Sequence, residues 1–252
     1  MQKKLKLDPV VGGDVRDASQ RGVLLDACHI LAHQGHAAGL AGQVTMRDGD
    51  SHRLLTISLG TGLDEADHSS ILLVDENLNT LEGTGKANPG ARFHSWIYRH
   101  HPAVRAIVHT HPPALSSFSM LGIAMPVAQM DAAMFFEDCG FLSHWPGVPT
   151  GDDEGALISG ALGGKRTAML VNHGAVCTGA TLEEAVYLNV FAERNARMCL
   201  DALAVGSLQP VEPAAAREAH DFLLQPAIVN GTFAYWARQA TRSANAEISS
   251  RA

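Results

Sequence analysis

The sequence predicts a globular fold of the α/β or α+β class, because short apolar runs with strand character alternate with longer stretches of helical spacing. Three observations carry this. Ile71-Leu72-Leu73-Val74-Asp75, Ala106-Ile107-Val108 and Ala168-Met169-Leu170-Val171 are bounded apolar runs of strand length, residues 181–204 have a sustained 3.6-residue apolar periodicity, and Gly- and Pro-containing turns punctuate the stretches between. A chain of 252 residues, 46% of them apolar, is long enough to bury a sizeable core, and a single domain over 1–252 is expected.

Taken in order, residues 21–35 place Val23, Leu24, Ala27, Ile30 and Leu31 on one helical face, with Gly35 as the stop. Gln43–Arg47 and residues 54–59 read as short strands, followed by the turn Gly60-Thr61-Gly62. After the strand at 71–75, Asn88-Pro89-Gly90 introduces a helix over 91–98, and Pro102 precedes a strand over 106–111. Residues 114–120 have helical character. The longest helix spans 181–204, with Thr181 as N-cap and Glu184 at the third position in a capping-box arrangement. Pro210-Val211-Glu212-Pro213 separates it from a terminal segment, 220–238, whose Phe222, Phe233, Tyr235 and Trp236 either cover the core or cross to another subunit. The small, polar stretch from about 243 is expected to fray.

The formal charge of −7, from 19 basic and 26 acidic side chains, provides no basic field for nucleic acid. Four scattered cysteines without a CxxC pair fit a reducing compartment. The basic opening Met1-Gln2-Lys3-Lys4-Leu5-Lys6 is not followed by an apolar run, and no eighteen-residue apolar stretch occurs, so a cytoplasmic location without membrane attachment is expected. Gly60-Thr61-Gly62 and Gly83-Thr84-Gly85-Lys86 lack a complete nucleotide-binding fingerprint and read as turns.

The chemistry concentrates in histidines. His109 and His111 close the strand that begins at Ala106, and a period of two sends both side chains to one face. His173 follows a second apolar strand and precedes Gly174. Three imidazoles delivered by two strand ends suit one divalent metal with an open coordination position. His29 and His33, at i and i+4, lack an accompanying glutamate and read as structural or interfacial, while His100 and His101 read as surface residues.

Gly39-Leu40-Ala41-Gly42-Gln43-Val44, Arg92-Phe93-His94, Ile107-Val108-His109-Thr110-His111, Leu170-Val171-Asn172-His173-Gly174 and Thr181-Leu182-Glu183-Glu184-Ala185 occur in an order and spacing that resemble the class II aldolase and adducin head family. The resemblance covers residues 21–236. It implies a three-layer α/β/α fold, a homotetramer with active sites near subunit boundaries, and a zinc or manganese ion held by His109, His111 and His173.

Departures from the family's sugar-phosphate aldolases are informative. Where those enzymes carry two phosphate-binding serines and a catalytic glutamate, this chain has Asn88, Pro89 and Gly90; Gln43 replaces an asparagine of the first phosphate loop, and Met130 replaces a proton-donating tyrosine, with Asp131 beside it. The resemblance therefore points to the family's metal-dependent decarboxylases, acting on a small non-phosphorylated carboxylic acid, either hydroxy-aromatic or β-keto. Substrate contacts are expected from Gln43, Lys86, Asn88 and Arg92. Asp131, Arg92, His94 and Tyr235 are the candidate catalytic groups, each with a structural alternative: a helix cap for Asp131, an ion pair for Arg92, a core hydrogen bond for His94 and packing for Tyr235. Retro-aldol cleavage or dehydration of a hydroxy-keto compound is the alternative chemistry, and an adducin-like scaffold the non-catalytic alternative.

Overall fold

The computed structural model describes residues 19–49, 51–145, 147–148 and 151–251; the basic opening at residues 1–6 lies outside them. Among the described residues eight strands form one sheet: β1 (Gln43–Arg47), β2 (Leu54–Ile57), β3 (Ile71–Val74), β4 (Thr80–Glu82), β5 (Ala106–Thr110), β6 (Cys139–Leu142), β7 (Thr167–Leu170) and β8 (Gly174–Gly179). Their order is β4-β3-β2-β1-β5-β8-β7-β6, and every neighbouring pair is antiparallel except β6 and β7. The parallel pair is connected through a crossover helix, α4 (Asp152–Leu162), as parallel neighbours require.

Helices cover both faces, giving the three-layer α/β/α architecture. Alternate residues of each central strand separate two cores. Val44, Met46, Ala106, Val108, Ala175 and Cys177 face α1 (Gln20–His33), α3 (Pro113–Ser119), α5 (Leu182–Leu203) and α7 (Pro226–Arg251). Ile107, Ala168, Leu170 and Val176 face α2 (Arg92–His100) and α4, where Phe93, Ile97 and Ile158 are buried. The remaining helix, α6 (Pro213–Leu223), packs on the 3₁₀ segment Met130–Phe135.

Local chemistry explains the helix ends. Ser19 Oγ accepts from Gly22 N at 3.2 Å, and Gly35 takes the left-handed conformation (φ 81°) just past α1. Thr181 caps α5 by accepting from Glu184 N at 3.2 Å. The Glu184 carboxylate does not close a reciprocal box onto Thr181; it accepts from Ala180 N at 2.7 Å and from Arg166 at 3.0 Å. Arg166 bridges onward to Asp138 at 2.6 Å, so the ion pairs join α5 to the strand ends instead.

Several boundaries differ from the sequence reading. β5 ends at Thr110, which leaves His111 just beyond the strand. The terminal aromatic segment covers the core: Phe233 and Trp236 are buried, Trp236 clustering with Tyr187 and Phe191 of α5, while Phe222 and Tyr235 stay exposed. α7 continues past residue 243 to Arg251, and Ser243 Oγ lies 3.0 Å from His33 Nε2. His101, read as a surface residue, is half-buried and lies 2.8 Å from Ser159 Oγ.

A tight helix–sheet contact makes one position testable. A Cβ added at Gly140 of β6 would lie 1.8 Å from the Ala161 carbonyl of α4, a backbone group that cannot rotate away. Gly140→Ala should therefore push α4 off the sheet and lower stability by about 1–3 kcal/mol in denaturant unfolding; an unchanged midpoint would show that this contact does not constrain the fold.

Candidate metal centre

β5 is held between β1 and β8, with His109 opposite Gln43 on one side and Val176 on the other. The His109 ring consequently lies on the α2 side of the sheet, where Phe93 meets it edge-on with ring centroids 5.2 Å apart. His111 has the same parity and follows on the same side. His173 comes from the three-residue turn joining β7 to β8, in which Leu170 pairs with Gly174 and Asn172 adopts φ 56°. Asparagine tolerates this left-handed conformation better than a branched residue does. Gly174 is also needed: a Cβ there would lie 2.6 Å from the Thr110 carbonyl and 3.3 Å from the His111 ring. Asn172, His173 and Gly174 thus bring the third imidazole against the first two.

The three rings form a compact triangle, with centroid separations of 4.7, 4.8 and 4.5 Å. One nitrogen from each lies within 4.8 Å of the others. His109 Nδ1 donates to the Ala175 carbonyl at 2.9 Å, which leaves the Nε2 lone pair facing His111 Nε2 at 2.8 Å. Ser119 Oγ accepts from His173 N at 3.1 Å and steadies the hairpin turn.

Burial holds the ring pKa values down, reinforced by mutual repulsion. His109 falls well below the ordinary value, His111 is lowered by burial, and His173 is pushed down to about 4 by burial and by His111. All three are neutral near pH 7 and present lone pairs. Tetrahedral zinc, with Zn–N near 2.0–2.1 Å, needs nitrogens about 3.3 Å apart, a spacing within small side-chain adjustments of this cluster. The donor set fits a divalent ion, and among the described residues no carboxylate or thiolate joins it.

The other candidates are distributed differently. Gln43 is part-buried beside His109, its Oε1 has no hydrogen-bond partner among the described residues, and its Nε2 lies 2.9 Å from where a Cβ on Gly90 would stand. Gln43, Thr56, Ser58, Thr61 and Asn88 line a narrow cavity of about 20 Å³. Asn88 also accepts from Gly90 N at 2.9 Å, and Lys86 is exposed. The Arg92 guanidinium is engaged by Asp152 at 2.9 Å, across to α4 and not within its own helix. His94 is fully buried, with Nδ1 2.8 Å from Thr45 Oγ1 and its pKa pushed down to about 3 by burial. Such a ring is neutral at physiological pH, and its Nε2 has no hydrogen-bond partner among the described residues. Asp131 and Tyr235 line a separate cleft of about 450 Å³ with Arg194, Arg197 and Trp236, which shares no residue with the histidine cluster.

Sequence reasoning passed over His36, Asn189 and Glu193. All three bond to the segment that bears the histidines: His36 Nδ1 lies 2.9 Å from Thr110 Oγ1, Thr110 Oγ1 donates to Asn189 Oδ1 at 2.7 Å, and Glu193 accepts from the N–H groups of Ala114 and Leu115. The available signal was an amide and a carboxylate at i and i+4 on α5, each bordered by apolar residues, Leu188-Asn189-Val190 and Phe191-Ala192-Glu193.

Residues 23–200 match the family described as the class II aldolase and adducin N-terminal domain. The chain belongs to this family. A 4-hydroxy-3-prenylphenylpyruvate oxygenase/4-hydroxy-3-prenylbenzoate synthase of Streptomyces roseochromogenus subsp. oscitans is 29% identical over 182 residues, 71% of this chain and just under two thirds (66%) of that protein. A 3,4-dihydroxyphthalate decarboxylase of Arthrobacter keyseri is 28% identical over 200 residues, 75% of this chain and 81% of that protein. The structure of an L-fuculose 1-phosphate aldolase from Glaciozyma antarctica PI12 superposes with a TM-score of 0.82 at 24% identity, covering 95% of this class II aldolase family chain and 96% of that one, which establishes the shared fold. No helix among the described residues is long and apolar enough to cross a membrane.

The buried histidines set an acid limit. His36 and His173 are pushed down to about 4 and His94 to about 3, below the ordinary value of 6.5, so the unfolded chain takes up protons first as pH falls. Stability should be flat above pH 6.5 and decline progressively from there towards pH 4. Thermal unfolding of chelator-treated protein across this range checks it; an unchanged Tm down to pH 4.5 would contradict the burial of these rings.

Proposed function

We propose that this family member is a divalent-metal-dependent carbon–carbon lyase that decarboxylates a non-phosphorylated hydroxy-aromatic, heteroaromatic or β-keto carboxylic acid. The observation that carries the reading is a three-imidazole cluster that no carboxylate joins among the described residues, with Gln43 opposite His109 and Gly90 against the Gln43 amide. Decarboxylation needs an electron sink and then a proton donor, whereas aldol cleavage must begin by deprotonating a hydroxyl. The relative from Arthrobacter keyseri, named for a decarboxylation of a dihydroxy-aromatic acid, supports the same choice.

His109, His111 and His173 would hold the ion, zinc or manganese, both compatible with imidazole ligands. When bound, it would supply Lewis-acid charge to polarise the hydroxyl or carbonyl oxygen beside the departing carboxylate. The chain's own residues shape what happens around that charge. Ala175 fixes the His109 tautomer, and the Phe93 ring walls the α2 side against water. Gln43 offers a neutral amide to the substrate, which avoids repelling a carboxylate as a glutamate would. Asn88 lines the same cavity, Lys86 is the nearby exposed cation for a carboxylate, and Arg92 contributes by fastening α2 to α4. We assign Asp131 and Tyr235, which line the Arg194 cleft and not the histidine cluster, to a neighbouring subunit's site in a homotetramer, where either serves as proton donor. A cytoplasmic location agrees with four free cysteine thiols.

The test is carbon dioxide release from a panel of hydroxy-aromatic and β-keto acids by zinc-loaded, manganese-loaded and metal-free protein, with and without oxygen. Metal-dependent, oxygen-independent release is expected, and His111→Ala should abolish most of it while retaining the fold. An aldehyde product would indicate aldol cleavage; an oxygen requirement would indicate oxygenase chemistry; bound metal without turnover would indicate a scaffold.

A further inference from the structure

Behind the histidine cluster, on the opposite face of the sheet, lies a buried polar chain that neither the family assignment nor the proposed reaction uses. Thr110 separates His109 from His111, and strand parity turns its side chain away from them towards α5. Its hydroxyl proton is committed to Asn189 Oδ1 at 2.7 Å. His36, 2.9 Å away through Nδ1, must therefore donate to the same hydroxyl oxygen, so the contact specifies the Nδ1–H tautomer. Asn189 Nδ2 in turn donates to Cys177 Sγ at 3.7 Å, which fixes the amide orientation. His36, Thr110, Asn189 and Cys177 are all fully buried among mainly apolar side chains.

One helical turn along α5, Glu193 receives Ala114 N at 2.9 Å and Leu115 N at 2.6 Å, the first amides of α3. Pro112, the residue at the α3 N-cap, makes no side-chain cap bond, so Glu193 supplies the missing acceptors. Asn189 and Glu193 sit at i and i+4 and present to one side of the helix. They grip the chain at Thr110 and at Ala114–Leu115, on either side of His111, which itself lies outside the strand ladder.

We propose that Asn189 and His36, acting through Thr110, and Glu193, acting on the first turn of α3, are positioning residues that fix the His109–His111 pair for a divalent cation. The proposal rests on the metal reading of the cluster. Burying four linked polar groups serves no packing need that aliphatic side chains would not meet, and it places hydrogen bonds at the one residue through which both ligands are connected. Outer partners of metal ligands typically alter affinity 10–100-fold when removed.

The test compares Thr110→Val and Asn189→Leu with Thr110→Ser and His36→Asn, the latter keeping a donor near the Nδ1 position. Each variant is read by its Zn²⁺ dissociation constant from chelator competition, by the d–d absorption of its Co²⁺-loaded form, and by the Tm of the chelated protein. Thr110→Val and Asn189→Leu should weaken Zn²⁺ by about tenfold or more and shift the Co²⁺ bands; Thr110→Ser and His36→Asn should restore both. Unchanged affinity and spectrum in folded Thr110→Val, with only the Tm lowered, would overturn the positioning role. Should that variant fail to fold by circular dichroism, Glu193→Gln and His36→Phe decide by the same readouts. If the unaltered protein binds no cation, the metal reading falls and the positioning role with it; if it binds tightly and the variants match it, only the positioning role falls.

Discussion

The close approach of the β7–β8 hairpin to the end of β5 is the constraint on which the site depends. Gly174 has no side chain because the Thr110 carbonyl occupies the space a Cβ would need, at 2.6 Å, and that contact sets His173 against His109 and His111. The register of the central strands follows from the same place, with Thr110 opposite Ala175 and the Ala175 carbonyl receiving His109 Nδ1. A single-residue slip would turn His109 to the α5 side and Thr110 to the α2 side, losing the triangle and the buried polar chain together.

Around this junction the fold solves an electrostatic problem. Three imidazoles at this spacing cannot all carry protons, and burial on the α2 side makes even one proton costly. Their neutrality makes them ligands at physiological pH. On the α5 side, Thr110 and Asn189 are paired within the chain that runs from His36 Nδ1 to Cys177 Sγ, while His36 Nε2 has no hydrogen-bond partner among the described residues. The Arg166, Asp138 and Glu184 bridges and the Arg92–Asp152 pair lie where both partners retain some contact with solvent.

What could be read from the sequence was local or periodic. The two-residue spacing of His109 and His111 announced a shared face, Thr181 announced the start of α5, and Gly35 the end of α1. The third ligand was legible because Asn172-His173-Gly174 follows a second apolar strand and matches the family's pattern, whereas the left-handed Asn172 and the close approach at Gly174 emerge only in the fold. Interactions distant in the chain were not legible. Glu184 has the spacing of a capping-box residue, but Arg166 and Ala180 compete successfully for its carboxylate. Arg92 has the chemistry to grip a substrate, yet its partner, Asp152, lies 60 residues away at the start of α4. β8 was missed as a strand because Gly174–Gly179 contains small residues that take strand form only between β5 and β7. Asn189 resembles an ordinary helical residue until the fold sets it against Thr110, 79 positions earlier.

Every role assigned around the histidine triangle requires that it hold one ion, and X-ray absorption spectroscopy of the zinc-loaded 252-residue chain is the direct test. One zinc per chain should show three imidazole nitrogens at about 2.0–2.1 Å, completed by oxygen from water. A shell made of oxygen alone, a sulfur contribution, or an unchanged spectrum in the His173→Ala protein would contradict it.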